Sequence, residues 1–356
     1  MSDTTPGFVC AHHHLYSTLA RGMPSPPRTP ADFIGVLEQV WWRLDAALDD
    51  EMIYWSAKMG AVEALMAGTT CIIDHHESPN AIPGSLALIT QACHEVGIRV
   101  NASYGVTDRW SDEGTIRQRV SPTSAMTRAA RLGLEENRRH LASGGRGMVG
   151  VHAAFTASDD TLIAAAELAR EFGVGVHIHV AEGPDDADAH QRLANIATDS
   201  WLIVHGVHLS SPLKGTLVHN PRSNMNNAVG YARPMRLKMP VALGTDGIGA
   251  DMPEEARVAF ARLRESDLTA GADVVGRWLD TTQALFPEAN RDVVTWNYDA
   301  MDSVWHLAYT PGTRPHTVVV DGKTVLADGR PTLVDLDEVR HHASLHATRL
   351  HERLAA

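Results

Sequence analysis

Gly175-Val-His-Ile-His-Val-Ala-Glu182 is the stretch on which the fold turns. The run Gly175–Val180 has the near-continuous apolar character of a strand buried on both faces. Before it, Ser158 can cap a helix whose first turn holds Asp159 and Asp160 and which stops at Gly173. Its far end carries His177, His179 and, just beyond, Glu182. A helix, a buried strand and then a cluster of ionisable side chains is the repeating unit of an α/β barrel whose strand ends face a site.

The same unit recurs on both sides. Apolar runs lie at Gly7–Ala11, Thr69–Ile73, Ile98–Ser103, Met148–Val151, Trp201–Val204, Gly215–Val218 and Val241–Gly244. Helical patterns at Ala57–Ala67, Ser85–Val96 and Ser124–Leu141 stop at or before glycines, and two more follow at Glu254–Ser266 and Val274–Leu285. Eight strands alternating mostly with helices predict a (β/α)8 TIM-like barrel over residues 7–286. A doubly wound sheet is the alternative, but the ionisable residues come from too many strands for one switch point. Residues 287–334 hold His316-Thr-Val-Val-Val-Asp-Gly-Lys-Thr-Val-Leu, a hairpin around Asp321-Gly322, and residues 335–356 read as a terminal helix.

Composition sets the outer limits. The chain has 356 residues, 44% hydrophobic and 21% charged, an ordinary globular balance. The net charge of −12 argues against a nucleic-acid partner, which needs a basic face. No stretch approaches the roughly 18 apolar residues of a membrane span. Three cysteines, none in a C-x-x-C pair, make a disulfide framework or a thiolate zinc site unexpected, and the compartment expected is the cytoplasm.

Twenty histidines are the outstanding number. Some belong to a polar helix (His341, His342, His346, His351), and His76 and His94 read best as satisfied core or surface groups. The others fall at strand ends: His12-His13-His14 after the first run, His152 after the fourth, His179 and Glu182 after the fifth, His205 after the sixth, His219 after the seventh, and Asp246 after the eighth. His12 and His14, at i and i+2, share one side of an extended strand and can reach one cation. Nitrogen and oxygen ligands without thiolate suit zinc or ferrous iron. Glu182, three residues after His179, can approach a water activated there without being a ligand, as a proton shuttle must.

The strings Ala11-His-His-His-Leu-Tyr-Ser17, His177-Ile-His-Val-Ala-Glu182, His205-Gly-Val-His-Leu209, Val218-His-Asn-Pro-Arg-Ser-Asn-Met-Asn-Asn-Ala-Val-Gly230 and Leu243-Gly-Thr-Asp-Gly247 resemble the amidohydrolase superfamily, in its deaminase and chlorohydrolase branch. Asp74-His-His-Glu-Ser-Pro-Asn80, Thr107-Asp-Arg109, Glu136-Asn137 and Ala250-Asp-Met252 are similar to its SsnA-type aminohydrolases. The resemblance implies one divalent metal, zinc before iron, on His12, His14, His179 and Asp246. It implies Glu182 as acid/base, with Asp246 able to accept the proton of the attacking water. His205 then polarises the reacting group and His152 contacts substrate. His13 takes the variable position between ligands, His177 is the second reading for the fifth-strand ligand, and His219 is a candidate support. The activity implied is hydrolytic deamination of a small amino-substituted heterocycle. A hydrolytic dechlorinase, a cyclic amidase and a non-catalytic metal-binding relative are the alternatives, and a homo-oligomer remains open. Relative to the family, the chain begins almost at its first strand. The small β-sandwich is therefore expected as a reduced remnant, with the hairpin short of partner strands.

Overall fold

The computed structural model describes residues 2–356. After β1 (Thr4–Thr5) come β2 (Phe8–His13), β3 (Thr69–His76), β4 (Arg99–Tyr104), β5 (Val149–Ala153), β6 (Val176–Val180), β7 (Leu202–His205), β8 (Thr216–His219) and β9 (Val241–Leu243). Strands β2–β4 form one parallel arc and β5–β9 another. Parallel bridges Ala102–Gly147 and Val106–Val151 join the arcs on one side, and His13–Asp246 joins them on the other. At that last seam Thr245 N and Asp246 N donate to His12 O at 2.9 and 3.1 Å. The expected (β/α)8 barrel is therefore present, each strand overlapping its predicted run.

The seam needs a glycine. A Cβ on Gly244 would lie 2.8 Å from His12 Cβ and 2.9 Å from His12 N, so a side chain there would push β2 away. Inside the barrel Val9, Ala11, Cys71, Ile73, Leu202, Val204, Val218 and Ala242 pack as a separate apolar layer, closed from below by Phe286 and Ala289. The main core lies outside the barrel wall, between strands and helices.

The helices start where side chains cap them. Ser158 accepts from Thr161 N as expected, and Gly173 ends that helix in the left-handed region. Two starts differ from the sequence reading. The helix expected from Ala57 begins at Asp50, because Asp49 accepts from Met52 N. The helix expected from Ser124 begins at Arg128, because Thr127 takes the cap by accepting from Ala130 N. The terminal helix, Leu336–Ala355, starts from Asp335, which accepts from Asp337 N and Glu338 N.

The segment Phe33–Ala47, unassigned by sequence, is helical with a π turn at Leu37–Trp41. The hairpin also has more partners than expected. With β10 (Val293–Trp296), β11 (Pro315–Val320), β12 (Lys323–Ala327) and β13 (Arg330–Pro331), the chain forms a five-stranded sheet in the order β1-β10-β11-β12-β13. The N-terminal Thr4–Thr5 pair with Thr295 and Val294, so the start of the chain supplies an edge of this sheet. Val318, Val325 and Leu326 are buried in the main core.

One buried ion pair fastens the sheet to the barrel. Arg99 donates to both oxygens of Asp292 at 2.7 and 3.0 Å, and Thr70 Oγ1 donates to Asp292 Oδ2 at 2.6 Å. The Asp292 side chain is wholly buried, whereas Asp321, the second partner of Arg99, is 58% exposed. Removing one member of a buried pair strands the other, but exposed pairs contribute little. Asp292→Ala is expected to lower unfolding free energy by about 3 kcal/mol and Asp321→Ala by under about 1 kcal/mol, measured by urea denaturation.

Candidate active site

The C-terminal ends of β2, β6, β7 and β9 bring His12, His14, His179, His205 and Asp246 to one point. His14 Nε2 lies 2.9 Å and His12 Nε2 3.4 Å from Asp246 Oδ1. His179 Nε2 is 3.3 Å from His14 Nε2. His205 Nε2 is 3.7 Å from Asp246 Oδ2 and 3.4 Å from Glu182 Oε2. One donor atom each from His12, His179, His205 and Asp246 falls within 4.8 Å of all the others, spacing that suits a single cation. His14 stands beside this group, so every expected ligand is in reach of it.

The imidazoles are aimed by what their far nitrogens do. His14 Nδ1 faces His75 O at 2.6 Å and His179 Nδ1 faces His152 O at 2.7 Å. A carbonyl can only accept, so each Nδ1 carries a proton, and Nε2 is the nitrogen each ring turns toward the centre. His12 Nε2 and His205 Nε2 are buried and make no hydrogen bond. Buried polar atoms without partners are rare, and these two converging on one point fit a divalent cation. Ser223 Oγ donates to Asp246 Oδ2 at 2.5 Å and fixes the carboxylate.

The backbone is strained here. Ala181, His205 and Asp246 have φ of 48°, 70° and 53°, left-handed values that side chains with a Cβ adopt at a cost. Ala181 directly follows β6, His205 ends β7, and Asp246 lies three residues beyond β9.

Burial sets the electrostatics. It lowers the pKa of His12 and of His179, favouring the neutral forms a metal requires. It also acts to raise Asp246, but the His12 and His14 imidazoles outweigh it and hold that carboxyl well below its usual value. For Glu182 burial prevails: its pKa is raised, with His205 opposing and Asp246 adding to the shift. Asn227 Nδ2 donates to Glu182 Oε1 at 3.2 Å.

These groups open into a cleft lined by both apolar and polar side chains. Phe33, Leu37, Trp41 and Trp42 from the helical segment form its roof, and Phe155 and His152 form a side wall. His152 Nδ1 bonds Thr156 Oγ1 at 2.6 Å, and its Nε2 lies 3.9 Å from Glu77 Oε1. Other histidines are turned away. His13 Nδ1 meets Thr245 Oγ1 at 3.0 Å, and His219 packs against Tyr231 and Trp278 with both ring nitrogens unpaired and no bond to the site.

Sequence reasoning missed the far wall. Arg109, fully buried, bridges Asp45 (2.5 Å) and Glu77 beneath Trp42, whose ring lies 5.2 Å from the guanidinium carbon. Asp45 comes from the unassigned roof segment, so no local pattern announced the triad. Trp41-Trp42 was the available signal. Burial raises the pKa of Asp45, with Glu77 adding to it and Arg109 opposing; burial likewise raises Glu77, again against Arg109.

Comparison with known proteins comes to the same place. The model of the amidohydrolase family matches residues 4–280. A 5'-deoxyadenosine deaminase of Methanococcus maripaludis is 28% identical over 94% of this chain and 85% of its own. A 5-methylthioadenosine/S-adenosylhomocysteine deaminase of Desulforudis audaxviator is 28% identical over 98% and 87%. Among solved structures, a zinc-bound adenosine deaminase from Xanthomonas campestris superposes with a TM-score of 0.78 at 19% identity, over 98% of this chain and 85% of that one. The zinc complex of an atrazine chlorohydrolase from Arthrobacter aurescens gives 0.75 at 19%, over 97% and 88%.

The triad has a pH signature. Arg109→Leu leaves two buried carboxyls without their cation, and breaking such a pair typically costs about 3–5 kcal/mol. Both carboxyls have folded pKa values above their unfolded ones, so their contribution is intact at acid pH and lost as pH rises through the folded values. The variant's deficit in denaturant unfolding is expected to be small near pH 5 and larger near pH 8.

Proposed function

This chain is a member of the amidohydrolase family, and we propose that it is a metal-dependent hydrolytic deaminase acting on a small amino-substituted heterocycle, aminopurines and their nucleosides first. One observation carries the reading. Glu182 sits beside the point where four imidazoles and Asp246 converge, with its nearest ring partner, His205, 3.4 Å away. A metal store needs the converging ligands; only a proton-transfer reaction also needs an uncoordinated carboxyl at their edge. The deaminases of Methanococcus and Desulforudis, alike over nearly the whole chain, support the substrate class.

In this reading His12, His14, His179 and Asp246 hold one zinc ion. When bound, the metal acts as a Lewis acid and makes water a nucleophile near neutral pH. The protein's own groups do the rest. Asp246 accepts the proton of the attacking water. Glu182, whose pKa burial raises, gives a proton to the ring nitrogen next to the reacting carbon. His205 stabilises the oxygen added at that carbon. Glu182 takes the proton of the added hydroxyl as that oxygen becomes a carbonyl and hands it to the departing amine, ammonia leaves, and the proton held by Asp246 returns to Glu182 for the next turnover. His152 and the aromatic roof pack against the heterocycle and keep bulk water from the ring.

We assign the protein to the cytoplasm, on the strength of three buried cysteines in the free thiol form. No helix among the described residues is long and apolar enough to cross a membrane.

Two substitutions separate binding from turnover. His179→Ala is expected to remove most of the metal, measured by elemental analysis of the purified protein. Glu182→Gln is expected to keep metal near the wild-type level and lose turnover by roughly 10²–10⁴-fold in an ammonia-release assay. Wild-type turnover in Glu182→Gln, or halide release in place of ammonia across a panel of amino- and halogen-substituted purines, pterins, pyrimidines and triazines, would refute the deaminase mechanism.

A further inference from the structure

His177 lies two residues before His179 on the same inner face of β6 and bonds a different partner. Its Nε2 lies 2.8 Å from His12 Nδ1, and its Nδ1 lies 3.3 Å from Ser103 Oγ. Ser103 Oγ in turn donates to Asp74 O at 2.9 Å. All of these side chains are buried with no solvent exposure.

The chain of bonds has one direction. Asp74 O is a carbonyl and can only accept, so it takes the single hydroxyl proton of Ser103. Ser103 Oγ can then only accept from His177, which places the His177 proton on Nδ1. His177 Nε2 is left with a lone pair and accepts from His12 Nδ1–H. His12 Nε2, stripped of its proton, turns a lone pair toward Asp246. His14 and His179 have their Nδ1 protons fixed by backbone carbonyls directly. His12 alone depends on a second imidazole, and an imidazole has two tautomers. Without Ser103 the relay could run backwards and put a proton on His12 Nε2.

We infer that His177 and Ser103 are positioning residues that lock His12 in the tautomer able to bind a metal. This rests on His12 being a ligand as read above. It gives His177 a role other than the ligand role its place in the His-x-His motif suggests. Groups of this kind orient metal-binding histidines, and their loss typically weakens the metal by about 10–100-fold.

The test measures zinc affinity by competition with a chromophoric chelator, with the visible spectrum of the cobalt(II)-loaded protein as a second readout. His177→Phe is expected to bind zinc about 10–100-fold more weakly and to change the cobalt bands, while retaining a metal that His179→Ala loses. His177→Gln, whose carbonyl oxygen can accept from His12 Nδ1–H, is expected to recover most of the affinity. Ser103→Ala should weaken binding less than His177→Phe, and Ser103→Thr should restore it. Affinities within twofold of wild type in both His177→Gln and Ser103→Ala, together with His177→Phe where that variant folds, would overturn the inference and leave the deaminase reading standing. Complete loss of zinc in His177→Gln from a folded protein would also overturn it, by making His177 a ligand. A wild-type protein that binds no zinc would overturn the metal reading and this one together.

Discussion

The closing seam between the first and last barrel strands is the constraint from which the site follows. His12 O receives two backbone N–H groups from Thr245 and Asp246, which sit at the opposite end of the barrel sequence. With that seam made, the His12/His14 face of β2 and the Asp246 carboxylate must share a few ångströms. Parallel pairing then carries the ends of β6 and β7 to the same level. Gly244 permits the close approach, and the left-handed backbone at Asp246 turns its carboxylate inward. The strain at that residue is held by the register of the whole ring, since local sequence gives Asp246 no reason to adopt it.

The parts of the fold that were legible in the sequence are those set by short-range rules. Each barrel strand reads as a buried apolar run, and Ser158 and Gly173 mark helix ends through their own side chain and backbone. The expected ligands were legible because strand ends of a barrel share one face. Other parts depended on tertiary partners. Thr4–Thr5 is too short to show a period and becomes a strand only against β10. The segment Phe33–Ala47 is broken by a π turn, which removes the regular spacing that identifies an amphipathic helix. The Asp45–Arg109–Glu77 cluster unites three distant segments, and only Arg109 and Glu77 lay in strings that drew notice. His219 shows the converse error: its place at a strand end matched the pattern, but the ring faces Trp278 and Tyr231.

The density of neutral histidine under the mouth is a chemical choice as well as a structural one. Burial first, with the neighbouring His14 adding to it, depresses the pKa of His12, His75, His177 and His179 together, whereas at His14 itself burial is outweighed by the Asp246 carboxylate, which raises the pKa. Backbone carbonyls of His75 and His152 absorb the N–H groups of His14 and His179. The barrel interior thus changes from an apolar layer around Val9, Ile73 and Val218 to a layer of imidazoles. The lower layer gives stability, and the upper one gives a preorganised donor set whose cost in desolvation was met on folding.

The roof segment has one further tie. A side chain on Gly183 would collide with the Phe33 ring, so the start of the roof rests directly on the residue that follows Glu182. The missing side chain at Gly183 thus lets the aromatic roof and the loop that carries Glu182 meet closely, and any larger residue there would part the apolar wall of the cleft from its acid/base carboxyl.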